Sequence, residues 1–527
     1  MGPLDYNQIE IILENSEDEI PSESDSEVED DLNQDDVQSD TEDELVDEVA
    51  AEVIDSKSEE LQGPSSPSCL PHQDSTSNLD SRIIIPTQRI LREKNKHCWS
   101  TIKGQNRGRT ANINIVRTSR GPTRMCKNIY EPALCFQLFI TDEIINEIVR
   151  WTNAEISRKR TDKEAKFRLI AENQNKTYSF SATFRDAVDI EVRVLIGILV
   201  LSSAMKDNHL STEELFDITF SGTRYVSVMS RERFDFLIRC LRMDDKTLRP
   251  ALRTEYPFIP LRKVWDLLIS QCKNNYILGP HLPIDEQLLA FRGRCPFRMY
   301  IPNKPSKYGI KIPIICDSGT KYMINAMPYI GKATNTNGLP QGEYYVKELS
   351  RTVHGSCRNV TCDNWFTSVP LPHMINGQPL KNTRSRPVGS SMFCYDGPLT
   401  LVSYKPKPSE MVYLLSSCDE TGTINQRTGK PEMIMYYNQT KGRVDTFDQM
   451  LVMSCSRKTN RWPMAPLSRR NYMKKLSTEL ISPWMEKRLE APTLKRHVRV
   501  NIQELLPKTN TLDNNEEPVN KKKRYCA

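Results

Sequence analysis

The sequence has no apolar run near the ~18 residues that a membrane span requires. Its longest candidate, Val194 to Ser203, reads as a buried helix. It also has no paired cysteines. Its 14 cysteines are scattered singly, and none forms a C-x-x-C pair. The closest two, Cys357 and Cys362, have no second pair or histidine at zinc spacing. Reduced thiols are therefore expected, and zinc is not. The first residues lack a basic stretch followed by an apolar one, which argues against secretion.

Charge of one sign is missing over long stretches. From Met1 to Ser81 the only basic residue is Lys57, and from Arg82 to Tyr130 the only acid is Glu93. The net charge of +4 hides this asymmetry. Residues 1–85 are rich in Ser, Asp and Glu and too poor in apolar side chains to offset the entropy of ordering, so a disordered acidic tail is expected. Ser24, Ser26, Ser39 and Thr41 each precede an acid, a context suited to acidophilic kinases; an inert solubilising tail is the alternative. Residues 86–125 read as a basic linker, in which Arg107, Arg109, Arg117, Arg120 and Arg124 either follow phosphates or are simply solvated.

From about residue 126 the composition is that of a folded protein of 527 residues, with room for several domains. Thr141-Asp142-Glu143 opens a helical stripe of Ile144, Ile145, Ile148 and Val149. Ser211 to Glu214 reads as a capping box, and Ser230 precedes a stripe of Phe234, Leu237 and Cys240. Thr161 to Tyr178 is polar and reads as an irregular insertion. From about residue 281 short apolar runs split by Gly, Pro and Asp predict strands over 282–291, 309–316, 321–328, 358–363, 411–415 and 433–437.

Three acids stand out. Asp285 lies inside the first of these strands, and Asp363 follows the fourth. Asp445 opens a helical stretch with Asp448 one turn later on the same face. Carboxylates suit Mg²⁺, and two such ions about 3.5–4 Å apart serve in-line phosphoryl transfer. Other readings stand beside this one. Asp285 could pair with Arg292 or Arg294, Asp363 could cap a helix, and paired carboxylates also serve glycoside hydrolysis.

Longer segments carry a resemblance. Lys94 to Ser100, Arg120 to Cys126, Ile284 to Leu289, Phe291 to Cys295, Tyr300 to Lys311, Cys362 to Thr367, Val444 to Asp448 and Cys455 to Pro463 resemble the piggyBac-type DDD transposase family. The resemblance implies an α+β protein: an RNase H-like catalytic core of mixed sheet and helices, joined to a mostly helical dimerisation and DNA-binding domain. It places the helical domain at 126–280 and 455–506, the core at 281–371 and 432–454, an insertion domain at 381–431 and a basic tail at 507–527. It implies cut-and-paste transposition at TTAA sites in the nucleus by a homodimer acting on transposon ends. Asp285, Asp363, Asp445 and Asp448 would be the catalytic and metal-binding acids, with Mg²⁺ or Mn²⁺ as cofactor. Arg292, Arg294, Lys304, Lys307, Lys458, Arg461 and Trp462 would approach DNA, and Lys521, Lys522, Lys523 and Arg524 would direct nuclear import.

The chain departs from the family pattern in three places. Only Pro372 to Leu380 stands where the family has a helix and a strand. Ser468-Arg-Arg-Asn-Tyr472 follows Pro466 where the family has a long apolar helix. The chain ends at Tyr525-Cys526-Ala527, where a cysteine-rich zinc module would begin. Impaired transposition is the expectation. The alternatives are a non-catalytic DNA-binding or dimerising derivative and a remnant without function.

Overall fold

The computed structural model describes residues 82–86, 88–92, 98–104, 115–170, 180–253, 256–302, 304, 306–331, 334–367, 386–418, 422–442, 444 and 468–506. They divide into two compact units, one formed by 130–244 with 468–506 and the other by 82–129 with 245–444. Among the described residues no helix is long and apolar enough to cross a membrane.

The first unit is helical. Its core gathers Ile156, Val194, Leu195, Ile198, Tyr225, Phe234, Leu237, Ile481 and Ile502. The apolar run around Val194 lies in the helix Asp189–Met205, as expected. Its Gly197 lets the helix Arg469–Leu489 come close. A Cβ there would lie 2.9 Å from the Ile481 side chain, and Ser477 donates to the Gly197 carbonyl at 2.9 Å. Ser211 caps the helix Thr212–Phe216 with both bonds of the capping box, and Ser230 caps Arg231–Cys240. The polar stretch from Thr161 is helical rather than irregular up to Ile170, because it continues the helix Asp142–Ile170. Lys, Glu and Arg are good helix formers, and the ion pairs Arg158–Asp162 and Arg168–Glu164 span one turn each.

The second unit is built on strands. In chain order these are β1 (Ile90–Arg92), β2 (Cys98–Ser100), β3 (Gly121–Pro122), β4 (Tyr276–Ile277), β5 (His281–Ala290), β6 (Met299–Tyr300), β7 (Tyr308–Cys316), β8 (Met323–Ala326), β9 (Asn359–Cys362), β10 (Ser391–Asp396), β11 (Leu399–Tyr404) and β12 (Val412–Ser416). The main sheet has the order β6-β7-β5-β9, with β8 also on β7. β5, β7 and β8 run antiparallel in succession, and β9 returns parallel to β5 after the helix Gln341–Ser350. Three antiparallel strands followed by a parallel one beside the first is the RNase H-like arrangement expected from the resemblance.

One face of this sheet packs Leu282, Ile284, Ile315, Tyr345, Leu349 and Phe366; the other packs Ile312, Ile314, Cys316, Ile269 and Val444. Burying each such side chain contributes about 1.5–3 kcal/mol.

A second sheet has the order β1-β2-β10-β11-β12. β1 and β2 arise from the stretch read as a basic linker, and they bury Leu91 and Trp99 against Met392, Cys394 and Leu401. The predicted strand over 433–437 is instead part of the helix Glu432–Lys441, which follows Pro431. Its buried residues Met433, Ile434, Thr440 and Lys441 fall seven residues apart in pairs, the repeat of one helix face.

Candidate active site

β5 and β9 bring two of the acids together through their register. The parallel pairs run from His281 opposite Asn359 to Ile284 opposite Cys362. Asp285 is the next residue of β5 and Asp363 the first residue past the end of β9, so the two leave adjoining strands, about 4.8 Å apart, at the same level. Asp285, Asp363 and Glu286 are 3%, 7% and 5% exposed. One oxygen from each of the three lies within 4.8 Å of the others.

Local bonds fix the aspartates. Asp285 Oδ1 accepts the Glu286 N–H at 2.8 Å. Asp363 Oδ1 accepts the Phe366 N–H at 3.3 Å, and the Asp363 carbonyl accepts Thr367 Oγ1 at 2.9 Å. Asp363 therefore holds the turn after β9 with one oxygen while it faces Asp285 and Glu286. Phe366 is locked into the core, and Gly342 makes room for this turn: a Cβ there would lie 2.1 Å from the Trp365 carbonyl oxygen. The helix Glu432–Lys441 is tied to the same strands by Thr440 with Thr361 (3.3 Å) and Tyr436 with His281 (2.5 Å). Val444, just before Asp445, is fully buried beside Ile312 and Ile314.

Three lysines set the local field. Burial pushes the Glu286 carboxyl upward, but the ammonium groups of Lys311 and Lys304, a hydrogen bond with the Asp285 side chain and the Lys441 charge hold it below the usual carboxylate range. Lys304 Nζ stands 4.0 Å from Glu286 Oε1. Lys311 is buried, its ammonium 3.9 Å from the centre of the Trp365 ring. Burial and the Asp363 charge push the Cys362 thiol up to about 11, and burial with Asp285 and Asp317 raises Cys316 further. Both thiols stay protonated, so the chemistry available here belongs to the carboxylates.

These residues fit a divalent ion. The donors are carboxylate oxygens, which suit a hard cation. Glu286 Oε2 is buried with no hydrogen-bond partner, a costly state that a cation would relieve.

A family model described as "Transposase IS4" matches residues 131–470, more than half of the chain. The chain belongs to the piggyBac-type transposase family. Among solved structures, a piggyBac transposase determined by cryo-EM as a synaptic complex with hairpin DNA is 58% identical. The match covers 74% of this chain and 88% of that one, with a TM-score of 0.65. The human PiggyBac transposable element-derived protein 3 is 21% identical over 457 residues, 79% of this chain and 72% of the relative. DNA transposition and dependence on a divalent metal are the activity of the family, and this chain has a buried acidic cluster of Asp285, Glu286 and Asp363.

The structure brings Asp285 and Asp363 together and adds Glu286, which the sequence did not single out. Lys304 lies beside Glu286. Arg292 and Arg294 are exposed on the turn after β5, and Lys307 is exposed just before β7 with a left-handed φ of 41°. Asp445, Asp448, Lys458, Arg461, Trp462 and Lys521 to Arg524 lie outside the described residues, as does the segment Pro372 to Leu380.

Proposed function

We propose that this chain performs metal-dependent cleavage and transfer of DNA strands, the chemistry of cut-and-paste transposition at TTAA sites. The supporting observation is the meeting of Asp285 and Asp363, from separate strands, within range of a shared ion. Asp285 and Asp363 would hold Mg²⁺ or Mn²⁺, with Asp445 and Asp448 completing the set. The ions supply charge stabilisation for the attacking and leaving oxygens of an in-line displacement. The protein's part is to fix its carboxylates in place and to position DNA. The exposed Arg292, Arg294 and Lys307 suit phosphate contacts. Lys304, Lys458, Arg461 and Trp462 extend that surface, and Trp462 suits stacking on a base. The chain acts as a homodimer in the nucleus, to which Lys521, Lys522, Lys523 and Arg524 direct it.

Nicking of a DNA fragment carrying matched ends tests this reading. Asp363→Ala is expected to abolish Mg²⁺-dependent nicking while DNA affinity stays near that of the unaltered chain. Equal nicking by the variant overturns the role given to Asp363. A second reading, a DNA-binding derivative without the reaction, is favoured by the short Pro372 to Leu380 segment. It is the conclusion if the unaltered chain binds the ends but does not nick them.

A further inference from the structure

We propose that Glu286 is itself a ligand of the metal site, in addition to the four aspartates; this rests on the metal-dependent reading above. Neighbouring residues of a strand alternate between faces, so a structural Glu286 would point away from Asp285. Instead one of its carboxylate oxygens lies within 4.8 Å of oxygens of both Asp285 and Asp363.

Two further observations separate a ligand from a buried counter-charge. Lys304 stands 4.0 Å from Oε1, well beyond the roughly 2.7–2.9 Å of a charge-assisted hydrogen bond. Lys311 has its ammonium over the Trp365 ring. Lys304 thus sits near Glu286 without capping it, and although Glu286 hydrogen-bonds to the Asp285 side chain, its Oε2 is left without a partner in a residue only 5% exposed. Buried polar oxygens rarely stay unsatisfied, and a divalent cation with carboxylate neighbours is the partner this one lacks. Glu286 would then share the ion with Asp285 and Asp363, and the lysines would balance the excess negative charge around it.

The test is Mn²⁺ binding to the full-length chain, read by the loss of the free-ion electron paramagnetic resonance signal, with no DNA and no turnover. Glu286→Gln keeps the shape and removes the charge, and is expected to weaken Mn²⁺ binding by at least the roughly 10- to 100-fold lost when a group that only hydrogen-bonds a ligand is removed. Glu286→Asp keeps the charge opposite the lysines but withdraws the oxygens, and should also bind more weakly while circular dichroism stays unchanged. It decides the matter if the glutamine variant fails to fold. Mn²⁺ affinity equal to that of the unaltered chain in a folded Glu286 variant overturns the proposal. Asp363→Asn separates the two claims. If it loses Mn²⁺ binding while the Glu286 variants keep theirs, only the role of Glu286 falls. If the unaltered chain binds no Mn²⁺, both readings fall.

Discussion

The two units bury charge in opposite ways. In the helical unit Glu191 is fully buried and Arg233 is 3% exposed, yet the pair is closed. Arg233 Nε and Nη2 donate to the two oxygens of Glu191 at 2.9 and 2.7 Å, and Arg185 adds a third bond at 2.6 Å. The rest of the Arg233 guanidinium is spent on the carbonyls of Thr183, Arg185 and Asp186. In the sheet unit three carboxylates are buried beside one another, Lys304 stands 4.0 Å from Glu286, and Glu286 Oε2 has no hydrogen-bond partner. A closed pair satisfies its own electrostatics and fixes the fold. An open cluster of like charges costs stability until something arrives to complete it, which makes it the candidate site of function.

The contrast can be broken in several ways. The largest expected effect is on the closed network. Arg233→Ala strands the buried Glu191 carboxylate and should cost about 3–5 kcal/mol in denaturant unfolding, as removal of one partner of a buried pair does. A loss well under 1 kcal/mol would remove the distinction between the units. Next is Gly342→Ala, where the new Cβ meets a backbone oxygen rather than a flexible side chain. The expected cost is about 1–3 kcal/mol, with weaker Mn²⁺ binding because the turn carrying Asp363 must shift. Stability loss with unchanged metal binding would show that the turn does not position the acid.

A smaller effect of opposite sign is expected for Asp285→Asn without metal. Relief of like-charge repulsion should raise stability by a few tenths to about 1 kcal/mol, whereas a marked loss would show Asp285 to be structural. The smallest effect concerns pH. Burial lowers the His281 pKa in the folded state, so its neutral form is favoured there. Its contribution is present above the unfolded value of about 6.5 and is lost as pH falls from there through the lower folded value. His281→Gln should slightly flatten the fall in melting temperature over that window, and an unchanged slope would contradict it.

The sequence made the strand ends legible. β5, β7, β8 and β9 carry apolar runs cut by Gly, Pro and Asp, and Asp285 and Asp363 sit where such runs meet an acid. Glu286 is harder to read, because strand alternation assigns it to the face opposite Asp285; its signal is a second acid within the buried run of Leu282 to Leu288. Met433 to Tyr437 was read as a strand because five apolar residues in a row do not distinguish a strand from a buried helix, although Pro431 before it favours a helix start. β1 and β2, three residues with one buried side chain each, are too short for any period to show in the sequence. The helix runs on to Ile170 on helix propensity, ion pairs and one buried aromatic, Phe167, too little for an apolar stripe to show in the sequence.

The central claim is that the buried acids of the sheet unit are incomplete without a divalent ion. Thermal unfolding of the full-length chain with and without Mn²⁺, beside Asp285→Asn, tests it most directly. At 100 times the dissociation constant, binding to the folded state alone adds about 2.7 kcal/mol. The unaltered chain should therefore melt several degrees higher with Mn²⁺ while Asp285→Asn does not respond. The same rise in both proteins, or in neither, would contradict the account.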